Sequence, residues 1–278
     1  MSTTGRALTG HAFTKGHGTE NDFVILPDPD GELDLAAADV ARICDRRAGI
    51  GADGVLRVVR AKAAGLSDVA AEWFMDYRNA DGSVAEMCGN GVRVFARYLV
   101  DSGLAAPGEL AVATRGGVKA VTLGESGDVT VDMGRPEVFA ESEARVGGTV
   151  YRGLKVSMGN PHLACLIDHD VAALDLTREP AFSAADFPAG VNVEFFRPIE
   201  DRHVAMRVHE RGSGETRSCG TGAVATAVAA AVAAGLDPLR EASTWAVDVL
   251  GGRVEVVFDG VTSFLRGPAV LVADGVLR

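Results

Sequence analysis

The 278-residue sequence has no excess of positive charge, no long apolar run, no closely spaced cysteines and very little lysine. With 27 Lys and Arg against 38 Asp and Glu, the formal net charge is -11 at neutral pH, the wrong sign for a nucleic-acid or anionic-membrane surface. The longest apolar stretch, Ala223 to Leu236, is alanine-rich and too short to span a bilayer, so a buried helix is expected there. The first ten residues, MSTTGRALTG, are polar with no apolar stretch behind them, and no signal peptide is expected. Four cysteines do not make a disulfide scaffold, and no Cys-x-x-Cys or His-x-x-x-His spacing offers a zinc site. Lysine occurs only at Lys15, Lys62, Lys119 and Lys155, none in a recognisable Schiff-base motif. What remains is a cytoplasmic protein with free thiols, a small-molecule substrate and no metal.

The composition, 47% hydrophobic and 23% charged, is that of an ordinary globular chain, long enough for one large or two medium domains. Three segments predict helices. Residues 34–47 offer Asp34 as a cap and place Leu35, Ala38, Ala41 or Arg42, and Cys44 near helical spacing. Two more follow Cys88 and Cys219 and stop at Gly103-Leu104 and Gly235-Leu236. Most of the rest predicts strand: AEWFMDYRN alternates Trp73, Met75 and Tyr77 against Glu72, Phe74 and Asp76, and HVAMRVHE alternates Val204, Met206 and Val208. Few helices among many short strands indicate an α+β fold.

The chain also repeats itself. AEMCGNGVRVFARYL at 85–99 and TRSCGTGAVATAVAA at 216–230 both set Cys-Gly-x-Gly before an apolar helical run. Asn79 lies nine residues before Cys88, and Glu210 nine before Cys219. Each half opens with an asparagine ahead of an apolar strand, TENDFVILPD and MGNPHLACLID, and the divide falls near VDMGRPE, 131–137. Two such halves facing one another would bring both cysteines to a shared cleft.

A helix start presents unpaired backbone N–H groups and the positive end of the helix dipole. A cysteine placed there has its thiolate stabilised, so its pKa is expected below the free value of about 8.5. Glycines let a ligand approach the backbone, and the bare N–H groups suit a carboxylate. Two such thiols could take a proton from one face of an α-carbon and return one to the other, inverting the stereocentre. Cys44, in a helical apolar position, and Cys165, in the strand HLACLID, are expected to be packing residues.

The chain resembles the diaminopimelate epimerases, pyridoxal-independent amino-acid epimerases with two cysteines as acid and base. The resemblance runs from FTKGHGTENDFVI through GIGADG, YRNADGSVAEMCGNGVR, SMGNPH, GVNVEFF and HERGSGETRSCGTGA to RGPAVLVADG, nearly the whole chain. It implies a cofactor-independent isomerase interconverting LL- and meso-diaminopimelate, in lysine and cell-wall precursor biosynthesis. It makes Cys88 and Cys219 the acid/base pair, with His162 and Glu210 tuning and orienting the thiols. It assigns substrate binding to Asn21, Asn79, Asn160, Asn192, Glu210 and Arg211, and the reacting carboxylate to the backbones of Gly89-Asn90 and Gly220-Thr221. The implied fold is two pseudo-symmetric halves, each a mixed, mostly antiparallel sheet wrapped around a central helix, with the site between them. The halves would be 1–133, joined by a returning strand at 266–278, and 134–265. A homodimer is a further implication. KGHGTENDF and Gly54 of GADG depart from the commonest family pattern at one edge of the pocket.

Two other readings share the paired thiols: a proline-type racemase, and a redox-sensing protein with a switchable dithiol. The first should lack the ERG-x-GET segment and the asparagine set together, and the second needs no carboxylate cradle. GIGADG at 49–54 matches Gly-x-Gly-x-x-Gly, but it follows the polar CDRRA and opens no helix, so nicotinamide binding is rejected. Taken without the resemblance, the asparagines are turn residues, His162 a strand histidine, and Glu210 with Arg211 a surface pair. His11, His17, His169, His203 and His209 are structural or surface groups.

Overall fold

Glycine- and aspartate-rich turns cut the described residues, 8–124 and 127–278 of the computed structural model, into eighteen short strands and three α-helices. By internal contacts the chain forms two compact units, one comprising the residues up to Val131 with Pro268–Arg278, the other Asp132–Gly267. The architecture is α+β, with each unit building most of its strands around one long helix.

The first unit runs β1 (Ala12–Gly18), β2 (Asn21–Pro27), α1 (Ala37–Cys44), β3 (Gly54–Arg60), β4 (Trp73–Asn79), α2 (Gly89–Asp101), β5 (Glu109–Thr114) and β6 (Gly117–Leu123). β7 (Val129–Gly134) pairs antiparallel with β6. The second unit continues with β8 (Glu137–Val146), β9 (Thr149–Ser157), β10 (Pro161–Leu166), a 3-10 turn at Val171–Ala173, β11 (Ala181–Phe182), β12 (Asn192–Glu200), β13 (His203–Glu210) and β14 (Gly214–Thr216). It ends with α3 (Gly220–Ala233), β15 (Ser243–Val249), β16 (Gly252–Phe258) and β17 (Ser263–Gly267). The last strand, β18 (Val270–Val276), returns to pair antiparallel with β1.

The pairing scheme is the same in both units. In the first, β1–β2 is antiparallel, β2–β3 parallel, β3–β4 antiparallel, β4–β5 parallel and β5–β6 antiparallel. In the second, β9–β10, β10–β12, β12–β13, β13–β15 and β15–β16 repeat those senses in that order. Each long helix lies in the connection between a parallel pair, α2 between β4 and β5 and α3 between β13 and β15. A parallel pair needs such a crossover, because a tight hairpin cannot join it.

α2 packs against β1 to β6 and β18, burying Val92, Phe95, Ala96 and Leu99. Full burial of a side chain such as Phe95 or Leu99 contributes about 1.5–3 kcal/mol. α3 is packed by β9, β10, β12, β13, β15, β16 and β17, and every residue from Gly222 to Ala231 is buried. A helix covered on all sides has no polar face, which is why this run looked uniformly apolar. Both helices stop as their glycines predict. Gly103 and Gly235 take positive φ, and Leu104 N and Leu236 N donate back to Leu99 O and Ala231 O, as in a Schellman motif.

Two expectations are corrected. α1 covers only Ala37–Cys44, its cap is Ala36 without a side-chain hydrogen bond, and its buried face is Val40, Ile43 and Cys44, leaving Ala38 and Ala41 exposed. Packing of that face with Val24, Leu26 and Val55 fixes where the helix begins, overriding the capping preference of Asp34. β4 is buried on both faces rather than one. Phe74 joins Val59, Ala61 and Ala113 in a small cluster, and Asp76 is buried among Arg57, Arg78 and Arg115.

Candidate active site

In the first unit the site residues gather at the start of α2. Cys88 is the N-cap, in extended conformation, and its sulfur accepts from Gly91 N at 3.3 Å. The β1–β2 hairpin turns through Thr19 and Glu20, both at positive φ, which sets Asn21 at the head of β2. There Asn21 Oδ1 accepts from the Cys88 thiol at 3.5 Å and from Asn90 Nδ2 at 3.2 Å. Asn21 Nδ2 donates to Asp53 Oδ2 at 2.7 Å, so the amide cannot turn without breaking that bond. Arg46 donates to Asp53 and to Asp22, each at 2.7 Å, tying this edge together. Arg93, in the second turn of α2, is fully buried: Nη2 donates to Thr19 Oγ1 at 3.2 Å, while Nε and Nη1 have no partner among the described residues. Burial pushes its guanidinium down to about 10, still a cation at neutral pH, with Cys88 and Asp128 among the groups favouring the charge. Asn79, the last residue of β4, stands opposite Gly54, the neighbour of Asp53, and its side chain donates to Ser83 Oγ at 3.0 Å.

The second unit repeats the construction and adds to it. Cys219 caps α3, its sulfur accepts from Gly222 N at 3.4 Å, and Thr221 Oγ1 lies 3.5 Å from it. Asn160 Nδ2 donates to Thr221 Oγ1 at 3.4 Å, and Asn160 Oδ1 lies 3.1 Å from His162 Nε2. The other nitrogen, His162 Nδ1, lies 2.7 Å from Glu194 Oε1, with both side chains fully buried. Asn192, beside His162 in the parallel β10–β12 pair, donates to Pro161 O and accepts from Arg211 N at 2.9 Å, holding the backbone of the loop after β13. The Arg211 side chain is exposed and donates to Ala189 O. Glu210 accepts from Thr216 Oγ1 through Oε1.

Helix-start chemistry alone predicted a lowered pKa for both thiols. At Cys219 the direction is reversed. Burial, reinforced by the carboxylates of Glu210 and Glu194, pushes this thiol well above its ordinary value, outweighing Thr221 and the Gly222 N–H. A one-dimensional reading registers the helix dipole but not burial in the fold. Cys44 is pushed up to about 11 and Cys165 also upward, both chiefly by burial, as suits thiols that only fill space. A Cβ on Gly153 would stand 2.7 Å from Cys165 Sγ, so that sulfur occupies the room beside a glycine. Among the described residues no group of three or more His, Cys, Asp or Glu side chains could hold a metal ion.

Within the units, then, Cys88, Asn21 and Asn90 form one cluster with Gly89 at the first helical position, and Cys219, Thr221, Asn160 and His162 form the other with Gly220 at the first position. Sequence reasoning missed Asp53, Arg93 and Glu194. Asp53 lay in GIGADG, a segment read for its glycines rather than for its aspartate. Glu194 had a signal: it follows Asn192 by two and interrupts an apolar strand with a charge, a combination that normally needs a buried partner. Arg93 interrupts the run VRVFARYL in the same way.

A family model described as diaminopimelate epimerase matches residues 13–139 and 154–272. A protein from Thermobifida fusca named diaminopimelate epimerase is 55% identical, over 96% of this chain and 97% of its own length. Among solved structures, a phenazine biosynthesis protein of the PhzF family from Bacillus anthracis superposes with a TM-score of 0.70 at 17% identity, covering 96% of this chain and 99% of that one. A probable proline racemase from Agrobacterium radiobacter superposes at 0.63 with 15% identity, covering 96% and 93%. At such identities the two structures share the fold and nothing finer.

Proposed function

The chain belongs to the diaminopimelate epimerase family, and from that premise we propose that it interconverts LL- and meso-diaminopimelate by moving a proton at one α-carbon between the thiols of Cys88 and Cys219. The observation that carries the reading is the repeated construction. Both cysteines cap a buried helix, and both sulfurs accept the N–H of the third helical residue, a glycine. The proline racemase likeness rests on fold alone, whereas the family match and the 55% relative both favour diaminopimelate.

In the forward direction one sulfur, as thiolate, removes the α-proton. The other, as thiol, donates a proton to the opposite face, and the stereocentre inverts. The sulfurs exchange protonation states, so the reverse reaction uses the same groups in opposite roles. The carbanion's charge spreads onto the α-carboxylate, which the backbone N–H groups of Gly89-Asn90 and Gly220-Thr221 are suited to hold. His162 and Glu210 serve the Cys219 thiol, His162 through Asn160 and Thr221. Asn21 holds the Cys88 thiol. Asn79, Asn160 and Arg211 are assigned to the substrate's polar ends, and Asn192 acts by fixing the Arg211 backbone. The reading extends to a cytoplasmic homodimer and requires no cofactor.

The test is incubation of purified protein with LL-diaminopimelate in heavy water, without added cofactor. Deuterium at one α-carbon and meso product are expected, with kcat/KM for proline, alanine and lysine negligible beside that for diaminopimelate. A site built to bond a polar group discriminates strongly against substrates lacking it. Comparable values for proline and diaminopimelate would replace this reading with the racemase.

A further inference from the structure

The two helix starts are matched in backbone but not in what lies beneath them. In the parallel β2–β3 pair, Phe23 stands opposite Gly54 and Ile25 opposite Leu56. In the parallel β10–β12 pair, His162 stands opposite Asn192 and Ala164 opposite Glu194. The registers therefore equate Phe23 with His162 and Leu56 with Glu194. The glycines above agree: a Cβ on Gly91 would meet Leu56 and Phe23, and a Cβ on Gly222 would meet Glu194. One thiol is underlaid by two apolar side chains, the other by a fully buried histidine–glutamate pair.

We propose that Glu194 is a positioning residue for Cys219, keeping a proton on His162 Nε2 and so fixing the direction of each hydrogen bond from the imidazole to the sulfur. This rests on the acid/base role given to Cys219 above. Asn160 presents Oδ1 to Nε2 at 3.1 Å, and an amide oxygen only accepts, so Nε2 must carry hydrogen. One proton occupies the 2.7 Å gap between Nδ1 and Glu194 Oε1, and whichever atom holds it, the pair is neutral overall and Nε2–H is retained. Asn160 Nδ2 then donates to Thr221 Oγ1, whose hydroxyl is left to donate to Cys219 Sγ. Together with the Gly222 N–H, the sulfur receives two donors when it ionises. Among the described residues Glu194 Oε2 has no hydrogen-bond partner, so His162 is the side chain this carboxylate serves.

The donors are needed because the surroundings oppose the thiolate. Burial opposes it most, and the charges of Glu210 on β13 and Glu194 on β12 add to that. Of the cations on strands packed against α3, Lys155 pairs with Asp186, Arg207 with Glu215, His203 and Arg253 with Asp248, and Arg266 with Glu255, while Arg152 on β9 and Arg197 on β12 have no ion pair among the described residues. His209, buried on β13, has no ion-pair partner among the described residues.

Two readouts test this without relying on turnover. In protein labelled with 15N-histidine, His162 Nε2 should remain protonated from pH 6 to 9, and a bare Nε2 at any pH in that range would overturn the proposal. In iodoacetamide labelling followed by peptide mass spectrometry, Glu194→Leu, which installs the residue found at the matched position, should slow Cys219 alkylation at neutral pH by about 10-fold. Cys88 should be unaffected, and Glu194→Gln, whose amide can donate to Nδ1, should restore most of the rate. Unchanged or faster Cys219 alkylation in Glu194→Leu would sink the idea, since a carboxylate acting only by its charge predicts acceleration. If Glu194→Leu fails to fold, the nitrogen shifts of the wild-type protein decide alone. Absence of epimerisation with the histidine result intact would instead reject the proposed function.

Discussion

A Cβ on Gly222 would stand 2.7 Å from Glu194 Oε1, whereas one on Gly91 would come no nearer than 3.3 Å to Leu56 Cδ2. The same glycine in the repeated motif is thus under different constraint in the two units. Gly222→Ala must displace a buried carboxylate bonded to His162, while Gly91→Ala asks only that the Leu56 methyl and Cys88 Cβ, both at 3.3 Å, give by a few tenths of an ångström. We expect Gly222→Ala to lose about 1–3 kcal/mol of stability and most activity, and Gly91→Ala clearly less. Urea denaturation of both variants checks the order, and equal losses would contradict it.

Cys88→Ala and Cys219→Ala should each lower the rate of LL-to-meso conversion by at least about 10² to 10⁴, since each removes a proton donor or acceptor for one face of the carbon. Cys44→Ala and Cys165→Ala should turn over close to wild type, because burial holds both thiols protonated and neither caps a helix: Cys44 ends α1 and Cys165 lies in β10. Initial rates under reducing conditions decide. Wild-type activity in Cys88→Ala would end the two-thiol mechanism.

The fold class and both helix stops were legible because they depend on local signals: strand-length runs, glycine at positive φ, and a helix too apolar to have a wet face. The cysteines were legible because their surroundings repeat. What could not be seen is what three-dimensional packing imposes. Alternation in β4 forecast one wet face, yet Asp76 is buried because Arg57 and Arg115 from other segments converge on it beside Arg78 of its own strand. The thiol of Cys219 was expected to be acidic from the helix start alone, and Glu194, 25 residues earlier in the chain, helps reverse that. Charges that interrupt apolar runs, such as Arg93 and Glu194, were the visible trace of buried polar networks.

Arg93 offers a separation of charge from volume. It is fully buried, with two nitrogens unbonded among the described residues, and a buried ion without full pairing is often replaced by an apolar group at no loss. Arg93→Met should therefore change stability by no more than about 1 kcal/mol, whereas Arg93→Ala, which empties the space, should cost about 2–5 kcal/mol. Thermal and urea melts of the two variants make the comparison. A large loss in Arg93→Met would mean the guanidinium's single bond to Thr19, or its charge near Cys88, outweighs its desolvation.

Asp22 makes the acid side of the stability curve predictable. Burial alone would raise its carboxyl, but hydrogen bonds from Arg46 and Lys15 hold it at about 2, below the ordinary 3.8. A carboxylate depressed in the folded state contributes stability that is complete above its unfolded pKa and lost as pH falls through the folded value. The window here is from about pH 4 down to about pH 2. The full contribution is on the order of 2 kcal/mol, reduced somewhat because Arg46 is 57% exposed and screened by solvent. Asp22→Asn should accordingly lie about 1–2 kcal/mol below wild type at pH 6, with the gap narrowing by about 1 kcal/mol at pH 3. Urea unfolding of both proteins across that range is the measurement. A gap that stayed constant with pH would show that Asp22 acts only as a hydrogen-bond acceptor, for the Asp53 backbone N–H at 3.2 Å among others, and not through its charge.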